Sequence, residues 1–157
     1  MNKIFLALVL MFALNINCYA NSERMVPLFD YVQKMDTNDF NEIGYLLYRC
    51  MSLYFSEEKV LNTRDDNFTK NAKDLNKHRQ YITYNRAFTN FSRINENATY
   101  DDFNEMVFEV TQEMEKKYMY LANQNYINSG TYFMDEYFQG EFSVCNFLMD
   151  TPQTEEE

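Results

Sequence analysis

The stretch from Phe40 to Phe55, FNEIGYLLYRCMSLYF, constrains this chain more than any other, because the thirteen residues after Glu42 carry a single charge, Arg49. A helix lying on a protein surface shows one apolar stripe and one polar face. Here Ile43, Leu47, Cys50, Met51 and Tyr54 fill one face, while Tyr45, Leu46, Tyr48, Leu53 and Phe55 fill most of the other. Such a helix has to be surrounded. The expected fold class is therefore all-α, a single-domain bundle of four to five helices with this segment at its centre. Only three Gly and two Pro in 157 residues argue against a turn-rich β architecture.

The first twenty residues read differently from the rest. Met1-Asn2-Lys3 is a short basic start, Ile4 to Leu14 is an unbroken apolar run, and Asn15 to Ala20 is a polar exit. This is the pattern of an export signal, with cleavage expected after Ala20, where Cys18 and Ala20 supply the small side chains a signal peptidase accepts. Lipidation of Cys18 is the competing reading, and Asn15 and Asn17 fit that processing site poorly. The apolar run is too short to span a bilayer comfortably, so no stable membrane anchor is expected. The chain thus divides into a signal peptide (1–20), a helical domain (21–150) and an acidic tail (151–157) expected to be disordered. Its expected location is outside the cytoplasm, periplasmic or secreted.

Removing the signal leaves 137 residues, enough for one domain with a real core. With 13 basic and 24 acidic residues, their formal charge is −11, which excludes nucleic acid as a natural partner. Two cysteines remain, Cys50 and Cys145, and an oxidising compartment pairs them as one disulfide. Both fall on apolar stripes, Cys50 with Leu47 and Tyr54, Cys145 with Phe142 and Leu148, so both should point into one core. They lie 95 residues apart, and the chain-entropy model gives such a loop about 4–5 kcal/mol of stabilisation.

Helical periodicity orders the remainder. Met25, Leu28, Phe29, Val32 and Met35 predict a short amphipathic helix within Ser22–Met35, with Pro27 in its first turn. Thr37 or Asp39 is expected to cap the central helix, with Glu42, three after Asp39, reaching back to the cap amide. Fraying is expected from Ser56 to Leu61. A long polar helix should follow Asn67, with one stripe through Phe68, Ala72, Leu75 and Ile82 and another through Tyr81, Tyr84, Phe88, Phe91 and Ile94, implying a bend or break near Thr83–Arg86. Thr99 and Asp102 are spaced as a capping box for a helix carrying Phe103, Met106, Val107, Val110, Met114, Tyr118 and Leu121. Asn123–Thr131 predicts a break, with Asn128-Ser129-Gly130 suited to a helix end, and a last helix is expected over about Met134–Met149.

Catalytic groups are sparse. The single histidine, His78, sits on a polar basic stretch, and neither a triad nor a Glu-x-x-His di-iron pattern surrounds it. No cofactor or metal is expected, since Met at helical spacing is usually core. Three Asn sequons, at Asn67, Asn90 and Asn97, are about as many as the composition yields by chance. The cations from Lys70 to Arg93 face a strongly acidic second half, which suggests pairing with Glu105, Glu109 and Glu113 on an antiparallel neighbour.

Arg49 is the residue to explain. In the middle of an apolar helix it either pairs with a buried carboxylate, for which Asp135, Glu136 and Glu141 are candidates, or faces a cavity holding an anion. Functionally the chain reads as a small exported helical protein, a non-enzymatic binding or interaction module whose partner is an unknown protein or small ligand. The alternative is an enzyme of unrecognised type, or a small-ligand carrier using an aromatic-lined cavity near Arg49.

Overall fold

Asp39 starts the central helix by accepting the Asn41 amide on its side chain, and with no Gly after 44 and no Pro the helix then runs unbroken from Phe40 to Leu61. A computed structural model of the chain describes residues 25–64 and 67–150. The expected signal segment, with its expected cleavage point after Ala20, and the acidic tail 151–157 lie outside these residues. Five helices are described, and no strand is present among the described residues: α1 (Leu28–Val32), α2 (Phe40–Leu61), α3 (Asn67–Ile94), α4 (Tyr100–Ser129) and α5 (Glu136–Asp150). The architecture is the expected all-α bundle.

The central position of α2 follows from its all-round burial. Leu46, Leu47, Cys50, Met51, Leu53 and Tyr54 are buried on every side of it, and Ile43, Tyr48 and Phe55 pack against them half-buried. It touches α3, α4 and α5 at once, whereas α1 rests on α5. No helix is long and apolar enough to cross a membrane among the described residues. Cys50 and Cys145 are fully buried and joined, with S–S 2.09 Å and Cα–Cα 5.5 Å, within the range for a disulfide.

Several boundaries differ from the periodicity reading. The first helix is only Leu28–Val32, starting after Pro27 rather than including it. Glu42 does not reach its own cap amide. Its carboxylate accepts the Asp36 amide at 2.6 Å instead, pinning the connection before α2. The expected fraying of Ser56–Leu61 is absent, because Ser56 and Val60 are buried and hold that last turn against its neighbours. The break expected within Asn123–Thr131 falls at its Asn128-Ser129-Gly130 end. The α4 helix continues to Ser129 and stops at Gly130, whose φ of 75° is the left-handed conformation that glycine adopts without strain. The Thr99–Asp102 capping box forms as expected, with Asp102 accepting from the Thr99 amide and Thr99 from the Asp102 amide.

The α3 helix shows the largest departure. It is one helix, and Leu75 and Tyr81 from the expected stripes face solvent. Its buried face is polar: Thr69, Asn76, Thr83 and Asn90, spaced by seven, with Ala87 beside them. Two helical turns separate successive members, so all four lie along one seam, on which Thr83 reaches Met149 of α5 and the two Asn reach α2. Asn76 donates to the Tyr54 carbonyl at 3.0 Å and to Glu57 at 2.6 Å, and Asn90 donates to the Phe40 carbonyl at 2.7 Å. Gly44 makes room for this last bond, since a Cβ there would lie 3.2 Å from the Asn90 amide nitrogen. Toward α4, α3 instead presents rings: Tyr84, Phe88 and Phe91 surround Phe103 at centroid distances of 5.1–5.4 Å.

Two outcomes follow from this packing. Leu47 is 6 % exposed, so Leu47→Ala is expected to lower unfolding free energy by about 2–5 kcal/mol in a denaturant melt. A loss below about 1 kcal/mol would place the core elsewhere. Burial pushes the Glu57 carboxyl above its ordinary range, against the hydrogen bond from Asn76 that lowers it. A raised acid pKa means the folded state disfavours the carboxylate, so the group's contribution is most favourable at low pH and declines as pH rises through the folded value. Glu57→Gln keeps an acceptor for Asn76 without the charge. Its Tm should exceed wild type at pH 7, with the gain vanishing near about pH 4; a gain independent of pH would contradict the burial effect.

Candidate functional site

Arg49 points from α2 into a layer where three other segments meet, and each of them supplies a partner. Its Nη2 donates to Glu141 Oε2 of α5 at 2.6 Å and lies 3.5 Å from the Tyr137 hydroxyl. Its Nε donates to the Tyr118 hydroxyl of α4 at 3.2 Å, and its Nη1 donates to the Val26 carbonyl ahead of α1. Glu141 is equally committed, since Oε1 accepts the Leu28 amide at 2.7 Å and Oε2 also accepts the Tyr118 hydroxyl. The side chains of Arg49 and Glu141 are both 0 % exposed.

Electrostatics agrees with that geometry. Burial opposes the charge of Arg49, but Tyr118 and Glu141 beside it outweigh the desolvation and raise its pKa. Burial, followed by the charge of Glu141, raises the Tyr118 hydroxyl well above its ordinary value, so it stays protonated and donates. The arrangement is an intramolecular ion pair closed to water. Of the three carboxylates proposed for Arg49, Glu141 is the partner; Asp135 caps α5 by accepting the Phe138 amide at 2.9 Å, and Glu136 is exposed.

The space open to a ligand lies elsewhere. Between α1, α2 and α5 runs a groove of about 590 Å³, walled by Phe29, Val32, Ile43, Leu46, Val144 and Phe147. The polar side chains on its wall are two hydroxyls, Thr37 and Ser143. Phe29 is 58 % and Phe147 70 % exposed, and residues 144, 147 and 148 form the stripe of α5 that walls the groove, next to the face carrying Glu141 and Cys145. Sequence periodicity assigned Phe29 and Val32 to a buried stripe. They line an open groove instead, because the Leu28 amide is captured by Glu141 and that contact turns Leu28, not Phe29, into the core.

Other sequence features resolve without chemistry. His78 is exposed, and among the described residues no three His, Cys, Asp or Glu side chains converge as a metal site would require. Asn90 is 6 % exposed and its amide nitrogen is bonded to Phe40, so the folded chain cannot carry a glycan there, whereas Asn97 is exposed. Two cross-helix ion pairs start from α2, Arg49–Glu141 and the more exposed Lys59–Glu115. No family model matches the chain, and neither a curated protein nor a solved structure is significantly similar to it.

Replacing Arg49 by Met strands the Glu141 carboxylate in an apolar layer. The expected loss is about 3–5 kcal/mol, read from chemical denaturation. Adding Glu141→Gln removes the stranded charge while keeping an acceptor for the Leu28 amide and offering the Tyr118 hydroxyl oxygen an NH2 donor, and should restore at least about 1 kcal/mol. If Arg49→Met alone left stability unchanged, the guanidinium would be serving an anion site and not the fold.

Proposed function

We propose that this chain is an exported, non-enzymatic binding domain that works outside the cytoplasm by receiving an apolar group in the groove between α1, α2 and α5. The observation that carries this reading is the groove itself. Its volume of about 590 Å³ lies in the range of small-molecule and side-chain binding sites, and its walls are almost wholly apolar. Apolar patches that stay exposed on a folded domain commonly mark binding surfaces.

Two further features support it. The Cys50–Cys145 bridge suits an oxidising compartment, as does the leader-like pattern at the N-terminus. The groove walls are also held from behind. The α2 and α5 helices are joined by the disulfide and by Arg49–Glu141, and the entry to α1 is fixed by the Leu28 and Val26 backbone contacts. A preformed groove binds with less loss of conformational freedom than one that must assemble.

The test is titration with a neutral apolar dye, Nile red, followed by its emission shift. Wild-type protein should bind about one equivalent, and Phe29→Ser with Phe147→Ser should weaken binding by roughly tenfold or more, from lost apolar contact. Absence of dye binding, or binding indifferent to both substitutions, would remove the groove as the site.

A further inference from the structure

The rim of the groove is mostly acidic. Asp30 follows Phe29, Asp36 stands between Met35 and Thr37, Asp39 is two residues beyond Thr37, Glu42 precedes Ile43, and Asp150 is two residues past Leu148. Asp30, Asp36 and Asp150 are exposed, and Asp39 and Glu42 are half-exposed. Three of the five are held in place by backbone amides: Asp36 accepts from Asn38, Asp39 from Asn41, and Glu42 from Asp36. Those donors are neutral and do not cancel the charge. Among the cations, Lys34 precedes Met35, Arg86 is directed at the Leu148 carbonyl at the end of α5, and Arg93 lies over the ring of Phe40, next to Asp39.

An apolar trough bordered by carboxylates selects against anionic amphiphiles. A fatty-acid carboxylate or an acidic helix would place like charges together at the rim. A helix with large apolar residues at i, i+3, i+4 and i+7 and Lys or Arg flanking them meets both features at once. Its stripe fills the trough between Phe29 and Phe147, and its cations reach the carboxylates on either bank.

We propose that the groove is a docking site for a basic amphipathic helix of a partner protein. This rests on the groove reading above and adds the chemistry of the occupant. The apolar wall supplies affinity, and the acidic rim supplies choice of partner and orientation.

The experiment uses two labelled synthetic helices of about 18 residues sharing one Leu/Phe stripe, one with Lys and Arg on the flanks and the other with Glu, titrated into the exported chain by fluorescence anisotropy. The basic helix should bind about tenfold or more tighter at low ionic strength, with the difference narrowing as salt is raised. Asp36→Asn with Asp150→Asn should shrink the difference, and Phe147→Ser should weaken the basic helix without changing the circular dichroism of the protein. Equal binding of the two helices overturns the proposal, as does failure of both while Nile red still binds; in either case the groove stands and its occupant is different. Sedimentation that shows a dimer of the wild-type chain, converted to monomer by Phe147→Ser, also overturns it and makes a second copy the occupant. Loss of Nile red binding in the wild type instead removes the groove reading on which the proposal is built.

Discussion

The ion pair between Arg49 and Glu141 organises this molecule. Placing two charges in an apolar layer costs several kcal/mol each in desolvation, and only close geometry with every remaining polar group satisfied offsets that. Here the offset draws on all four surrounding segments: α2 supplies the guanidinium, α5 the carboxylate, α4 the Tyr118 hydroxyl, and residues 26–28 a carbonyl and an amide. A shift of any one segment leaves a buried charge without part of its shell. The pair therefore fixes relative placement more than it adds net stability. Cys50 follows Arg49 directly and Cys145 lies one turn after Glu141, so the covalent and ionic links join the same two helices at the same level.

The α3 helix is attached by different means. Its seam against α2 carries Asn76 and Asn90, whose amides bond to backbone carbonyls and a carboxylate of the central helix, and so it holds direction as well as contact. Amide-to-carbonyl bonds across a helix pair restrict sliding, because a shift of one residue would separate donor from acceptor at Asn76 and Asn90 together. Glu57 shows the cost of such a seam. Its carboxylate lies in a site where burial outweighs the Asn76 bond.

These contrasts explain what could be read from residues alone. The α2 helix was legible because burial on all sides leaves a composition no surface helix shows, and the disulfide because Cys50 and Cys145 both fall on apolar stripes at helical spacing. The partner of Arg49 was legible only as a choice of three, although one signal singles out Glu141: if Cys50 meets Cys145, the residue one turn before Cys145 faces the residue beside Cys50. The α3 face was misread because hydrophobic periodicity cannot see polar burial. The recurrence of Thr69, Asn76, Thr83 and Asn90 at intervals of seven was the available signal. The groove had none, since it is created by where α1 lies against α5 and not by any local pattern.

The same crosslinks account for why an apolar groove stays open beside a well-filled core. Apolar walls free to move would close on each other and bury Phe29 and Phe147, as the hydrophobic effect favours. The α2 and α5 walls cannot approach further, because the disulfide and the ion pair behind them set their separation at Cα–Cα 5.5 Å between Cys50 and Cys145. The α1 wall cannot swing across, because the Leu28 amide and Val26 carbonyl are committed to Glu141 and Arg49. Loosening the ion pair should therefore act on the groove before it acts on the rest of the bundle, with α1 the first segment released. In hydrogen exchange of Arg49→Met, the amide of Leu28 should lose protection ahead of those in the middle of α2, where the disulfide still holds the helix against α5.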